Sequence, residues 1–144
     1  MLVQDILDRK GGQVYGVGPD SPVGKAVGML ATWNVGVVLV TNPKGNLLGI
    51  ISERDLVRGI ALHGALALQC DVEKLMTPDV TTCKPGDRID EAMTVMTAHR
   101  IRHLPVMDDG RLVGLVSIGD LVKAKLLEKE QEANVLRDIT LART

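Results

Sequence analysis

The chain has 144 residues, with 17 basic and 18 acidic side chains, a net charge of −1 and a pI near 6.3. Tyr15 and Trp33 are its only aromatic residues, so it has neither the basic field nor the stacking rings that nucleic acid binding uses. No apolar run approaches the roughly 18 residues of a membrane span, and a hydrophobic content of 45% excludes wholesale disorder and predicts an aliphatic core.

The N-terminal segment MLVQDILDRK lacks the basic start and apolar run of a secretory signal, and predicts a short amphipathic helix. A brief strand follows at Val14–Val17. Ser21 before Pro22 signals a helix start. Val23, Ala26, Val27, Leu30 and Ala31 then mark a helix with one buried face. Two apolar strands, Val37–Thr41 and Leu47–Ile51, flank the turn Asn42-Pro43-Lys44-Gly45 and read as a hairpin. A helix begins after Ser52.

The same order then recurs. Val72-Glu73-Lys74-Leu75-Met76 resembles Val3-Gln4-Asp5-Ile6-Leu7, and a strand is predicted at Val80–Cys83. Asp87 before Arg88 signals a helix carrying Ile89, Ala92, Met93 and Met96 on one face. Strands His103–Met107 and Leu112–Val116 join through Asp108-Asp109-Gly110, and a last helix begins after Ser117. Residues 14–42 overlay 80–108 at a shift of 66, and 45–57 overlay 110–122 at a shift of 65. In the second overlay Gly45, Leu47, Gly49, Ser52, Asp55, Leu56 and Val57 meet Gly110, Leu112, Gly114, Ser117, Asp120, Leu121 and Val122. The chain is therefore two copies of one unit of about 60 residues, too small to be more than marginal alone. The expected fold is α/β (α+β): two tandem β-α-β-β-α repeats, each with a three-stranded sheet, packed about a pseudo-twofold axis with two related clefts between them. Residues 1–67 form repeat 1, 68–127 repeat 2, and 128–144 a helical tail. The tail's stripe of Ala133, Leu136, Ile139 and Thr140 reads either as a solvated extension or as a dimer contact. Cys70 and Cys83 have no C-x-x-C spacing and are read as reduced thiols in a cytoplasmic protein.

These repeated segments resemble a stand-alone tandem pair of CBS domains, the module named after cystathionine beta-synthase. The carrying residues are Gly49-Ile50-Ile51-Ser52-Glu53-Arg54-Asp55, Gly114-Leu115-Val116-Ser117-Ile118-Gly119-Asp120, Ile101-Arg102-His103-Leu104-Pro105-Val106 and Leu75-Met76-Thr77-Pro78. The resemblance spans residues 3–126 and implies clefts that bind an adenosine ligand (AMP, ADP, ATP, NAD(H) or S-adenosylmethionine) as a regulatory ligand, not as a catalytic cofactor. From the residues alone, Ser52 with Asp55 and Ser117 with Asp120 read as capping boxes at helix starts. The resemblance adds a ribose contact for each, and the two roles are compatible. It also implies phosphate contacts at Arg54, Arg102, His103 and Lys10. Adenine contacts are implied at Val14, Tyr15, Val35 and Gly36 beside Asp120, and at Thr77, Val80, Ile101 and Arg102 beside Asp55. Copy one has Gly36-Val37 where copy two has Arg102-His103, so the two clefts differ in charge.

The expected function is an adenine-nucleotide sensor that signals, as a homodimer, to a separate effector protein. A dimerisation scaffold without ligand is the alternative. An enzyme is not expected, because no nucleophile elbow, metal-ligand spacing or G-x-G-x-x-G occurs.

Overall fold

A computed structural model of the chain describes residues 1–143. They form α1 (Val3–Lys10), β1 (Gly16–Val17), α2 (Val23–Trp33), β2 (Val37–Thr41), β3 (Leu47–Ser52), α3 (Glu53–His63) and a 3-10 helix (Gly64–Gln69). Then come α4 (Val72–Leu75), α5 (Ile89–His99), β4 (His103–Asp108), β5 (Arg111–Ser117) and α6 (Ile118–Arg143). In the first sheet β1 runs parallel to β2 and β2 antiparallel to β3. In the second, β4 and β5 form an antiparallel hairpin. Its turn residues Asp109 and Gly110 both have positive φ, at 48° and 77°, as a tight hairpin turn matching the strand twist requires.

The first strand of each repeat is shorter than predicted. Val14–Val17 contracts to Gly16–Val17, and Val80–Cys83 contracts to one parallel bridge, Cys83 to Val106. The reason lies in the partner strand. Leu39 N–H donates to Tyr15 O at 2.8 Å, but the equivalent of Leu39 is Pro105, which has no N–H to give. The second sheet accordingly has two strands where three are expected.

Two aliphatic cores lie on the helix side of the sheets. One contains Val17, Val23, Ala26, Leu30, Val38, Val40, Ile51 and Val72. The other contains Val3, Ile6, Leu7, Cys83, Ile89, Ala92, Met96, Leu104, Val106, Val116, Leu121 and Ala124. The lead-in helices are thus exchanged: α1 fills the core of repeat 2, and α4 that of repeat 1. Reciprocal hydrogen bonds fasten both. Ile89 N–H donates to Met1 O and Val23 N–H to Cys70 O, while Val3 N–H donates to Asp87 O and Val72 N–H to Ser21 O. A contact and its mirror made by equivalent residues is the signature of a pseudo-twofold relation.

This exchange also corrects the predicted caps. Neither Ser21 nor Asp87 caps its helix through its side chain, and α2 and α5 start after Pro22 and Arg88. Backbone carbonyls from the exchanged lead-ins satisfy the first amides instead. The cysteines are free; burial, aided by Asp87, pushes the Cys83 thiol up to about 12, which disfavours the thiolate.

Candidate functional site

β3 ends at Ser52, and α3 begins at the next residue. Ser52 is extended (φ −114°, ψ 170°), and its hydroxyl accepts from Asp55 N–H at 3.3 Å. Asp55 Oδ2 in return accepts from Ser52 N–H at 2.8 Å and from the Ser52 hydroxyl at 3.0 Å. Repeat 2 copies this: Ser117 N–H donates to Asp120 Oδ2 at 2.9 Å, and Asp120 N–H to Ser117 Oγ at 3.1 Å. Both segments are capping boxes, which fixes each carboxylate at the edge of its sheet, beside the junction of the repeats.

The two carboxylates differ in their third partner. At Asp55, 5% exposed, Oδ1 accepts from the Thr77 hydroxyl at 2.8 Å. A two-bond bridge between Ile50 and Thr77 delivers that hydroxyl, at 3.0 and 2.8 Å. At Asp120, the Lys10 ammonium donates to Oδ2 at 2.8 Å and to the Leu115 carbonyl at 3.0 Å. Burial pushes the Asp120 carboxyl up, but the Lys10 and Ser117 hydrogen bonds and the Lys10 charge outweigh it and hold it below the usual range.

A cleft of about 560 Å³ opens over Asp55, a size ordinary for a small-molecule site. It brings together Ser52, Arg54, Asp55, Thr77, Ile101, Arg102 and His103, all expected at this cleft or as phosphate contacts, with Gly36, which the resemblance placed beside Asp120. Arg58 and Arg100 join them, and neither is picked out by the sequence reading. Arg58 lies one helical turn beyond Arg54, on the same face of α3. Arg100 precedes Ile101-Arg102-His103 and has φ 54°, in the left-handed region that costs a non-glycine residue energy. Reading the basic run one residue further back would have found it. Four arginines thus line the cleft together with two acidic residues, Glu53 and Asp55. Among the described residues none of the four has an ion-pair partner within 4.0 Å. His103 lies at the junction of the two sites. Burial lowers its pKa from 6.5, Asp120 and Glu53 oppose that, and Lys10 and Arg102 add to it.

The region of Asp120 is different. A depression of about 250 Å³ is lined by Ile6, Arg9, Lys10, Asp120, Lys123 and Ala124. Val14, Tyr15 and Val35 do not line it, and Val80 does not line the Asp55 cleft. Tyr15 stacks on Trp33 with centroids 5.0 Å apart, and Val35 packs on the core of repeat 1. Lys10, expected as a phosphate donor, spends its ammonium on Asp120 and Leu115. No metal-binding cluster and no helix long and apolar enough to cross a membrane occurs among the described residues.

A fold of two exchanged half-units, with a carboxylate and a helix start at each side of their junction, defines a module of two paired repeats. The chain belongs to the CBS domain family, whose pattern matches residues 3–62 and 72–127. It is 36% identical over 138 residues to the mitochondrial CBS domain-containing protein CBSX3 of Arabidopsis thaliana, covering 90% of this chain and 67% of that one. The crystal structure of the CBS-domain protein ATU1752 from Agrobacterium tumefaciens superposes with a TM-score of 0.83 at 48% identity, covering 86% of this chain and 92% of that one. Two ligand-bound structures are also similar. CBSX2 in complex with AMP has a TM-score of 0.73 at 27% identity, covering 89% and 98% of the two chains. The CBS pair of MJ0100 with 5′-methylthioadenosine and S-adenosylmethionine has a TM-score of 0.77 at 25% identity, covering 90% and 98%.

Proposed function

We propose that this chain is a regulatory module that binds an anionic adenine nucleotide in the Asp55 cleft and carries no chemistry of its own. The observation that carries this reading is one cleft lined by a hydroxyl-bonded carboxylate and by four arginines without an ion-pair partner. A carboxylate held by neutral hydroxyls suits a vicinal diol, because the ribose hydroxyls replace donors of the same kind. The guanidinium groups suit phosphate oxygens, through charge-assisted and bidentate bonds. AMP in CBSX2 and S-adenosylmethionine in MJ0100 support the adenosine class. The charge here favours ATP and ADP over AMP, and disfavours the cationic sulfonium of S-adenosylmethionine. In this reading Asp55 and Ser52 hold the ribose. Arg54, Arg102 and His103, joined by Arg58 and Arg100, hold the phosphates. Thr77, Ile101 and Gly36 border the base.

Ligand bound across the repeats changes their relative orientation, and the free energy available for signalling is the difference in affinity between the two arrangements. A separate effector reads that change from a homodimer.

Calorimetry against ATP, ADP, AMP, NAD⁺, NADH and S-adenosylmethionine tests the reading. Asp55→Asn keeps the cap's shape, and we expect it to weaken ADP binding at least tenfold, about 1.4 kcal/mol. Arg102→Ala is expected to weaken ADP and ATP by about tenfold while leaving adenosine unchanged. Equal binding of ADP to wild type and Asp55→Asn would sink the ribose assignment. No response to any of these ligands would leave the scaffold reading.

A further inference from the structure

The two repeats are related by a pseudo-twofold, yet the depression beside Asp120 measures about 250 Å³ against about 560 Å³ for the Asp55 cleft. The equivalent of Ile50 is Leu115, and the equivalent of Asp55 is Asp120. Ile50 O accepts from the Thr77 backbone and Asp55 from the Thr77 hydroxyl, whereas Leu115 O and Asp120 both accept from one Lys10 ammonium. The segment between lead-in and first strand explains the difference. It is Asp8-Arg9-Lys10-Gly11-Gly12-Gln13 in repeat 1 and Thr77-Pro78-Asp79 in repeat 2, three residues shorter. The longer segment extends α1 through Lys10 and then lays Gly12 on β5, where a Cβ would fall 2.6 Å from Val113 O. At the junction of the repeats, the His103 ring lies against Gly36, where a Cβ would fall 3.1 Å from His103 Cε1.

We infer that Lys10 is an internal counter-ion that closes the Asp120 site, so that the chain offers one open nucleotide site and not two. This rests on the proposed nucleotide reading of the Asp55 cleft. At Asp55 a diol displaces a neutral hydroxyl. At Asp120 it must displace an ammonium whose charge-assisted bond is roughly twice as strong as a neutral one. Lys10 thereby decides site number and makes the module asymmetric about its own pseudo-twofold.

ADP stoichiometry by calorimetry tests this on wild type, Lys10→Thr and Lys10→Met, each also carrying Asp55→Asn or Asp120→Asn. Wild type is expected to bind one ADP per chain, lost in Asp55→Asn and kept in Asp120→Asn. Lys10→Thr supplies the hydroxyl found at Thr77 and is expected to bind two, the second lost in Asp120→Asn. Lys10→Met keeps a stem of similar length and shows whether removing the charge alone opens the site. Two ADP per wild-type chain, or one ADP in both Lys10 variants, would overturn the closure while leaving the Asp55 reading intact. No ADP on wild type but one on Lys10→Thr, lost with Asp120→Asn, would overturn the Asp55 reading and support the closure. No ADP on any of these proteins would overturn both.

Discussion

At the scale of single residues, one atom group decides what each carboxylate can do. Asp55 and Asp120 sit in the same capping box, built from the same Ser-x-x-Asp spacing. A hydroxyl on one and an ammonium on the other make them different sites. His103 carries the residue-scale prediction. Burial first, then the charges of Lys10 and Arg102, lower its pKa, with Asp120 and Glu53 opposing. A histidine held neutral in the fold loses stabilisation as pH falls from its unfolded value of 6.5 through its lower folded value, because the unfolded chain takes the proton first. Thermal unfolding of wild type is expected to show that decline, and His103→Gln to lack it. A phosphate beside His103 raises its pKa again, so nucleotide binding takes up a proton. The affinity for ADP then rises as pH falls, by about tenfold per pH unit at most for one proton. His103→Gln isolates this from titration of the phosphate itself, whose second pKa is about 6. An identical pH slope in both proteins would remove His103 from the phosphate site.

At the scale of elements, the two glycines of the repeated strand have a packing role. A Cβ on Gly49 would fall 2.7 Å from both Met76 Sδ and Thr77 O, and one on Gly114 2.6 Å from Leu7 Cδ2. Leu7 and Met76 are equivalent residues of the exchanged lead-ins. Each glycine is the slot into which the other repeat's lead-in docks. Gly49→Ala is expected to lower unfolding stability by about 1–3 kcal/mol, the usual range for overpacking. Gly114→Ala should cost less, since the end of the Leu7 side chain can move and the Thr77 backbone carbonyl cannot. Urea unfolding checks both, and equal costs would contradict this account. Displacing Thr77 also removes a bond from Asp55, so Gly49→Ala is expected to perturb the cleft as well as the core.

At the scale of the whole molecule, α6 continues as one helix of 26 residues, about 39 Å long. Its first turns are anchored: Leu121 and Ala124 are buried, Lys125 pairs with Asp90 at 2.9 Å, and Glu128 pairs with the N-terminal ammonium at 2.7 Å. Every residue from Lys129 to Arg143 is exposed, with Leu136 at 66% and Ile139 at 45%. The exposed stretch 129–143 has no packed face, and helical stability in proteins comes mostly from such packing, so we propose that the tail pairs with a second copy. Truncation after Glu128 keeps both anchors. Light scattering is expected to show a dimer become a monomer, with little change in the melting temperature of the module. A truncated chain that stays dimeric would place the interface elsewhere, and the exposed Val57, Leu62 and Leu66 of repeat 1 offer the next surface.

The repeat, the order of elements, the helix faces (apart from Ala31, which is exposed) and the two Ser-x-x-Asp caps were legible in the sequence because they are local. They depend on periodicity, on capping chemistry and on a shift of the chain against itself. The lost strand at Val80–Cys83 was legible in principle, since Pro105 stands where Leu39 supplies a donor. The exchange of lead-ins was not, because α1 and α4 bury the same kind of apolar stripe and either core would accept either stripe. Arg100 could have been found by extending the basic run one residue back, but Arg58 became a site residue only when α3 of one repeat met the basic run of the other. The inequality of the two clefts was half visible in the Gly36-Val37 and Arg102-His103 mismatch. That Lys10 would reach Asp120, 110 residues away, was set by tertiary structure alone: an ammonium on a flexible stem pairs with whichever carboxylate the packed fold brings within reach.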